Sequence, residues 1–289
     1  EMKDILDITL YEMKTDYSGN VQYREVTDVT YIYIKYYPER YIARIQMKDM
    51  PDFYSKVNDY RIEDNKCYLQ LDYDKNLVQY TNNGQQQNRA EVLFGEVDGS
   101  SAISNSFSSL ISRMKADPTG DFVLTRDYDA SEFESNGVPL LGYNFEFRGT
   151  LNGNGHTISN LKAPLFDIIK DATIENLKFE NVISANAPIA KIAYSGTNIN
   201  NVHVNNLSVT TKFAGGRYGG IVAVAQGGTK PVTISNSSVT NFKIVEGGLA
   251  ESAASEVGGI AGLIQNAIVE DFYVEVTVRG DNKVGGIAG

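Results

Sequence analysis

The sequence has few of the residues that most often carry chemistry. Its 289 residues include one cysteine, two histidines and no tryptophan. A single cysteine excludes a disulfide framework within the chain. Cys67 stands between Lys66 and Tyr68 in a strand-like segment, so a structural role is favoured over a catalytic or redox role. The scarcity of cysteine by itself leaves the cellular compartment open.

Long apolar runs and an excess of positive charge are also missing. No apolar run approaches the roughly 18 residues that a membrane-spanning helix needs, and residues 1–4 do not begin a signal-peptide pattern. The net charge of −10 and the pI near 4.8 exclude nucleic acid as a partner, because binding to phosphates needs a basic surface. The same charge argues against contact with an anionic membrane.

The residues that are present divide the chain into unlike halves. Thirteen of the 18 tyrosines precede residue 81, and segments 29–37, 41–47 and 67–73 are rich in β-branched and aromatic residues. Residues 1–97 are therefore predicted to form an all-β module, an antiparallel sandwich or barrel of about five to seven strands. Its tyrosines fit stacking on sugars or peptides, but pairing across the sheet is the favoured interpretation.

One helix is expected after this module. Four apolar residues recur at the spacing of a single helix face: Phe107, Leu110, Ile111 and Met114. Ser101 and Ser104 are N-cap candidates, and Pro-Thr-Gly at residues 118–120 ends the run. The helix is predicted over about residues 104–116. Within the connecting segment, residues 98–144, it is expected to cap the repeats that follow.

From about residue 145 the chain repeats two short elements. An apolar-x-Asn-apolar element occupies residues 158–161, 174–177, 199–202, 234–237 and, with Asp271 in place of Asn, 269–272. An Ala-Pro or Gly-Gly pair followed by an apolar residue occupies residues 163–166, 187–190, 219–222, 258–261 and 285–288. The gaps lengthen while the strands keep their form, which is typical of a solenoid. Residues 145–289 are therefore predicted to form a right-handed parallel β-helix.

Physical chemistry gives each part of the repeat a role. Stacked coils bury Ile, Val and Leu in an inner column. Asn at one position of successive coils forms a ladder of amide hydrogen bonds, and Asp271 is expected to weaken it because Asp lacks the amide donor. The Gly-Gly pairs allow bends where a side chain would clash. The chain stops inside a repeat, at residues 285–289, and is therefore expected to be part of a longer chain.

No catalytic, cofactor-binding or metal-binding residue is predicted. His156 and His203 have no Cys or His partner at metal-ligand spacing, and structural or solvent-facing roles are favoured for both. Motifs of the His-Glu-x-x-His, Gly-x-Ser-x-Gly, Walker and dinucleotide types are absent from the sequence.

Paired carboxylates are the remaining candidates for chemistry, since some parallel β-helices degrade polysaccharides with such pairs. Asp127 and Asp129 precede the repeats in a turn-rich segment and are interpreted as a solvated or turn-capping pair. Glu270 and Asp271 are adjacent on a strand, so they point to opposite faces and cannot form one acid/base pair.

A resemblance to a known family becomes strong at residues 145–161, FEFRGTLNGNGHTISNL, followed by 163–166 and 172–177. This order resembles the N-terminal region of the streptococcal-type immunoglobulin A protease family and related pneumococcal-type zinc metalloproteinases. The Gly-Gly-Ile elements and the Ile-x-Asn segments after them are similar to the GLUG repeats of this family. Residues 116–124 also fit, so the resemblance covers about residues 100–289, whereas 1–97 fit in general character.

The resemblance implies a function but no site residue. The zinc of the family is held by a His-Glu-x-x-His motif near the end of a very long chain, and no position here matches it. It implies a non-catalytic scaffold or substrate-positioning region of a protease that is secreted from, or attached to the wall of, a Gram-positive bacterium. The zinc-dependent catalytic domain would lie downstream. The implied partners are that domain and a host glycoprotein such as immunoglobulin A.

Two other functions stay open at the level of the sequence. One is a surface adhesin-type module that binds host protein or glycan. The other is a β-helix enzyme that degrades polysaccharides.

Overall fold

The structure, a computed structural model, forms two compact units, Glu1–Phe122 and Val123–Gly289. It describes residues 5–26, 28–47, 51–64, 66–72, 80–82, 85–87, 89–96, 102–104, 107–124, 126–131, 133, 137–183, 186–211, 216–246, 256–277 and 283–289. The predicted all-β class is confirmed, because strands far outnumber helices. The predicted borders at 97/98 and 144/145 stay a prediction.

The first unit is built on antiparallel strands. Its elements are β1 (Ile5–Thr15), β2 (Val21–Glu25), β3 (Asp28–Thr30), α1 (Tyr31–Tyr36), a 3-10 turn (Pro38–Arg40), β4 (Tyr41–Met47), β5 (Phe53–Glu63), β6 (Lys66–Asp72), β7 (Tyr80–Asn82), β8 (Gln85–Gln87), β9 (Arg89–Glu96), β10 (Ala102–Ser104) and α2 (Phe107–Ala116). The main sheet has the order β2-β1-β4-β5-β6-β9. β5 pairs with β4 through residues 53–56 and with β6 through residues 57–63, and a bulge between Val57 and Asp59 interrupts the second pairing.

One face of this sheet forms the core of the unit. Alternation along the strands places Leu10, Ile45 and Leu69 on the buried face, and Ile34 of α1 joins the same cluster. Cys67 lies in it as a free, fully buried thiol. Burial raises the pKa of Cys67 to about 12, because the apolar surroundings disfavour the thiolate. The favoured structural role of this cysteine agrees with that environment.

Residues 31–36 form a helix where the sequence predicts a strand. The aromatic and β-branched segment 29–37 was expected to be strand, but β3 ends at Thr30 and α1 follows at once. A helical turn buries Ile34 completely, whereas Tyr33 and Tyr36 stay 53% and 69% exposed. Strand propensity largely measures packing on a half-buried sheet. In this segment a helical turn, unlike a strand, buries Ile34 while it leaves the neighbouring tyrosines in solvent.

The second unit consists of short strands in parallel pairs. β11 (Asp121–Val123) spans the border, and the others are β12 (Tyr128–Asp129), β13 (Glu146–Phe147), β14 (Thr150–Asn152), β15 (Thr157–Ser159), β16 (Phe166–Ile169), β17 (Thr173–Ile183), β18 (Ala190–Tyr194), β19 (Asn198–Thr211), β20 (Arg217–Gly219), β21 (Val222–Gln226), β22 (Val232–Ser235), β23 (Ser238–Glu246), β24 (Glu256–Gly258), β25 (Ala261–Gln265), β26 (Ala267–Glu270), β27 (Tyr273–Thr277) and β28 (Val284–Gly285).

These strands lie in three sheets, each of which takes one strand from successive repeats. The first contains β14-β17-β19-β22-β26, the second β13-β16-β18-β21-β25 and the third β20-β24-β28. β12, β15, β23 and β27 extend the first sheet. Within each of these three orders, neighbouring strands pair in parallel.

Apolar side chains line up through the first sheet in two columns. One contains Leu151, Ile174, Ile199, Ile234 and Val269, and the other contains Tyr128, Ile158, Phe179, Val204, Val239 and Val274. Leu151, Ile174, Ile199 and Ile234 are completely buried. The inner column that the repeats predicted is therefore present.

The register of the first repeat differs from the sequence alignment. The motif alignment placed Ile158 over Ile174, but Ile158 pairs with Phe179, and Leu151 pairs with Ile174. The reason is that the repeats that begin at Ile174, Ile199 and Ile234 each hold two apolar-x-Asn elements on neighbouring strand segments. Ile158-Ser159-Asn160 belongs to the second of these columns.

The Gly-Gly pairs lie where successive repeats approach most closely. A Cβ on Gly220 would overlap the carbonyl oxygen of Gly259, and a Cβ on Gly259 would overlap that of Gly286. The predicted clash is confirmed at these positions. Within the described parts of the chain, no helix is long and apolar enough to cross a membrane.

Candidate functional site

Asparagines form the corners that follow the strands of the first sheet. Eight corner residues have φ between 49° and 63°: Asn160, Asn176, Asn181, Asn201, Asn206, Asn236, Asn241 and Asp271. Asn and Asp tolerate this left-handed conformation better than other residues with a Cβ. The Ile-x-Asn motif predicted one row of asparagines along the repeats. The second corner, at Asn181, Asn206 and Asn241, was missed, although each follows the same apolar-x-Asn signal.

The corner amides connect one repeat to the next. Nδ2 of Asn201 donates to Oδ1 of Asn176 at 2.9 Å, and Nδ2 of Asn176 donates to Oδ1 of Asn152 at 3.3 Å. In the second row, Asn206 donates to Asn181 at 2.6 Å. The expected asparagine ladder is therefore confirmed in part: corner residues Asn236 and Asn241 donate instead to Asn200 and Asn205, one position before a corner. It presents two rows of polar amides along one side of the sheet.

Removing a rung of the ladder tests its contribution. Asn201→Ala loses the amide hydrogen bond to Asn176 and puts alanine at φ 55°, a left-handed conformation that it tolerates less well than asparagine does. We expect a loss of about 2 kcal/mol in the free energy of unfolding, from strain and lost hydrogen bonding in similar shares. Urea unfolding followed by circular dichroism measures it. Asn201→Gly is the matched control, since it removes the side chain without the strain. An alanine variant as stable as the wild type would contradict the prediction.

His203 bridges two repeats. It stands in register with Lys178 and Ser238, as the sequence pattern suggested. Its Nδ1 lies 2.7 Å from Oγ of Ser238, and its Nε2 lies 2.8 Å from Oδ1 of Asn201. Burial lowers the pKa of His203 and the charge of Lys178 lowers it further, so the imidazole is neutral near pH 7. A neutral ring held at both nitrogens suits the structural role that the sequence favoured.

His156 and the two early aspartates form a separate hydrogen-bonded turn. Nδ1 of His156 lies 3.2 Å from Oδ1 of Asp127, which also accepts the N–H of Thr157 at 2.9 Å. Asp129 accepts the amide of Asn160 at 2.9 Å and the N–H of Ser131 at 2.9 Å. This agrees with the turn-capping interpretation.

These contacts lower the pKa of both carboxyl groups and so favour their ionised form. The N–H of Thr157 lowers the pKa of Asp127 more than any other group, and the amide of Asn160 does so for Asp129. A general acid needs a raised pKa, so neither group is suited to protonate a leaving group near pH 7. Among the described residues, no group of three His, Cys, Asp or Glu side chains is placed to hold a metal ion. That this chain has no catalytic or metal residue stays a prediction.

A second surface lies on the outer face of the first unit. Tyr11, Tyr23, Ile42 and Tyr54 line an open cavity of about 450 Å³, and we call this surface the tyrosine face. The four residues lie on four neighbouring strands of the main sheet: Tyr23 on β2, Tyr11 on β1, Ile42 on β4 and Tyr54 on β5. Tyr23 and Tyr54 are 58% and 61% exposed. Pairing across the sheet, the favoured interpretation, does not account for so much exposed ring surface.

Comparison with known proteins gives a consistent set of relatives. The family model described as M26 IgA1-specific metallo-endopeptidase N-terminal region matches residues 1–206. An immunoglobulin A1 protease of Streptococcus sanguinis is 24% identical over 100% of this chain and 17% of that protein. An immunoglobulin A1 protease of Streptococcus pneumoniae is 30% identical over 64% of this chain and 10% of that protein. The chain thus spans a sixth or less of the length of these relatives.

Two further matches are of the same kind. The zinc metalloprotease ZmpC of Streptococcus pneumoniae is 25% identical over 91% of this chain and 14% of that protein. A solved structure of an IgA1 protease covers 92% of this chain and 21% of its own, with 20% identity and a TM-score of 0.46.

Proposed function

The chain belongs to the M26 IgA1-specific metallo-endopeptidase family, within its N-terminal region, and on that premise we propose that it is the non-catalytic scaffold of a longer zinc metalloprotease. In this role it positions a host glycoprotein, such as immunoglobulin A, for a downstream catalytic domain. The names and lengths of the relatives support the proposal, since this chain corresponds to 17% of one immunoglobulin A1 protease and 14% of ZmpC. The zinc belongs to the downstream domain.

The observation that carries the proposal is the asparagine ladder on stacked parallel strands. Rows of amides bonded from repeat to repeat give a rigid, polar surface that lengthens by about 4.8 Å with each repeat. We propose that the three sheets together form a right-handed parallel β-helix of GLUG-type repeats. The proposed domains are residues 1–97, residues 98–144, which contain the helix, and residues 145–289. An extended surface of this kind provides contact area instead of a pocket.

The proposed location is extracellular, either secreted or attached to the bacterial cell wall. The acidic net charge of −10 supports it indirectly, since it fits neither nucleic acid nor an anionic membrane as partner. The partners are then the host glycoprotein and the rest of the parent chain.

Binding and cleavage measured separately test this function. We expect the 289-residue chain to bind immobilised immunoglobulin A, to cleave none of it and to bind no zinc. Immunoglobulin G serves as the control ligand. An excess of the chain is also expected to slow cleavage by the full-length protease, because it occupies the substrate. Stoichiometric zinc with peptidase activity would overturn the non-catalytic role, and absence of binding to immunoglobulin A would overturn the positioning role.

A surface adhesin is the second candidate, and the tyrosine face is the observation that favours it. An adhesin would bind host proteins or glycans whether or not the protease cleaves them. A glycan array and a panel of host glycoproteins separate the two functions. Affinity confined to cleaved substrates supports positioning, and affinity for many uncleaved glycoproteins supports adhesion.

A further inference from the structure

The tyrosine face runs across the strands of the main sheet rather than along one of them. Tyr11 stands directly opposite Ile42, and Tyr54 lies one strand further and diagonal to Ile42. Tyr23 lies on the other side, diagonal to Tyr11. Three strand spacings of about 4.8 Å separate the first ring from the last, about 14 Å in all. A row of this length matches a short chain of linked rings better than a single small molecule.

The rings are available to a ligand. Tyr23 and Tyr54 keep more than half of their surface in water, at 58% and 61%. The cavity of about 450 Å³ that they line with Tyr11 and Ile42 falls in the usual range for small-ligand sites. Tyrosine rings are rigid, so holding one against a ligand loses little side-chain entropy. Their hydroxyl groups add hydrogen-bonding capacity at the rim.

A donor and an acceptor stand beside the rings. Arg44 is opposite Tyr54 in the register of β4 and β5. Its Nε lies 3.2 Å from Oδ2 of Asp52, whose side chain is 44% exposed. Because these ions compensate one another, the cavity does not select a strongly charged ligand.

This combination selects among ligand chemistries. A pyranose has apolar C–H faces that pack on aromatic rings, and each of its hydroxyl groups donates and accepts hydrogen bonds. Both Arg44 and Asp52 then find partners on the same ligand. A proline-rich peptide offers mainly carbonyl acceptors, because proline has no N–H. It would bond to the guanidinium group but would offer no donor of its own to the carboxylate.

We propose that the tyrosine face binds a neutral oligosaccharide, whose rings pack on Tyr11, Tyr23 and Tyr54 while its hydroxyl groups bond to Arg44 and Asp52. The inference deepens the proposed function and rests on it for the source of the oligosaccharide, a glycan of the host glycoprotein. In this proposal the tyrosine face contacts the sugar of the host glycoprotein, and the repeats contact its polypeptide.

Titration of the 289-residue chain with neutral tri- to hexasaccharides, including maltotriose and N-acetylated chitotriose, tests the inference. Isothermal calorimetry is expected to show saturable binding to at least one of them. Tyr54→Ala and Tyr23→Ala are each expected to weaken it about tenfold. Tyr54→Phe keeps the ring and is expected to stay within about twofold of the wild type. These residues are exposed, so the thermal stability of the variants should not change.

Tyr17→Ala is the matched control, because Tyr17 is a fully exposed tyrosine of the same unit that does not line the cavity. Its binding should equal that of the wild type. The inference is overturned if no sugar in the panel binds, if Tyr54→Ala binds as the wild type does, or if deca-proline binds the face in place of the sugars.

Immunoglobulin A stripped of its glycans separates this inference from the proposed function. If the stripped protein binds as well as the native one and no sugar binds, the inference fails and the positioning role stands. If sugars bind but neither form of immunoglobulin A does, the positioning role fails and the sugar site stands.

Discussion

Asp7→Asn is expected to lower the free energy of unfolding of the first unit by about 3–5 kcal/mol, the usual cost of leaving a buried charge without its counter-ion. Asp7 on β1 pairs with Arg113 on α2, and their side chains are 1% and 7% exposed. The guanidinium cannot lose its proton, so a neutral partner leaves a cation in the interior. The ion pair between Asp7 and Arg113 therefore holds α2 against the main sheet of the first unit.

Urea unfolding, followed by circular dichroism, measures this effect. Glu12→Gln is the matched control: it breaks the pair with Arg24, whose side chain is 66% exposed, and should cost less than about 1 kcal/mol. The double variant Asp7→Leu/Arg113→Met removes both charges and should recover most of the loss. If Asp7→Asn and Glu12→Gln lower the free energy of unfolding by the same amount, the pair of Asp7 and Arg113 does not behave as a buried ion pair.

Gly220→Ala is expected to destabilise the second unit by about 3 kcal/mol, the upper end of the usual range for overpacking. The added Cβ would overlap the carbonyl oxygen of Gly259 and lie 2.7 Å from both γ-carbons of Val239. A backbone carbonyl oxygen cannot rotate away from the new Cβ as the tip of a side chain can. The neighbouring repeats would therefore have to separate, and their stacking contacts would weaken.

The same motif supplies the control. Gly286 occupies the corresponding position of the last Gly-Gly pair, and a Cβ there would meet nothing within 4 Å. Gly286→Ala should therefore leave stability within about 0.5 kcal/mol of the wild type. Thermal unfolding of both variants gives the comparison. Equal melting temperatures for Gly220→Ala and the wild type would show that the repeats are packed more loosely than the structure describes.

Much of the repeat architecture was predictable because its physics is local. A corner that needs left-handed φ favours Asn, a close approach needs Gly, and a buried strand needs Ile or Val, so Asn201, Gly220 and Ile234 each mark their role in the sequence. The helix was predictable for the same reason, although it begins at Phe107 and the N-cap candidate Ser104 belongs to β10. Its apolar face, from Phe107 to Met114, is buried as expected.

The features that escaped prediction depend on distant parts of the chain. Nothing near Asp7 indicates that Arg113 will be its partner. The position of Ile158 over Phe179 follows from pairing between repeats, which two similar motifs in one repeat leave ambiguous. The tyrosine face needs residues from four strands, and period-two alternation does not show which tyrosines on those strands will meet. Tertiary packing decides all three.

The buried thiol of Cys67 has a practical consequence for the experiments above. The thiolate is the form of cysteine that attacks reagents such as maleimides, and with a pKa raised to about 12 Cys67 supplies almost none of it at neutral pH. The native chain is therefore expected to stay unlabelled while folded. A variant such as Tyr17→Cys then carries a single reactive position, so a fluorophore can be attached at one chosen point without removing the natural cysteine. Labelling of the native chain would in turn report its unfolding.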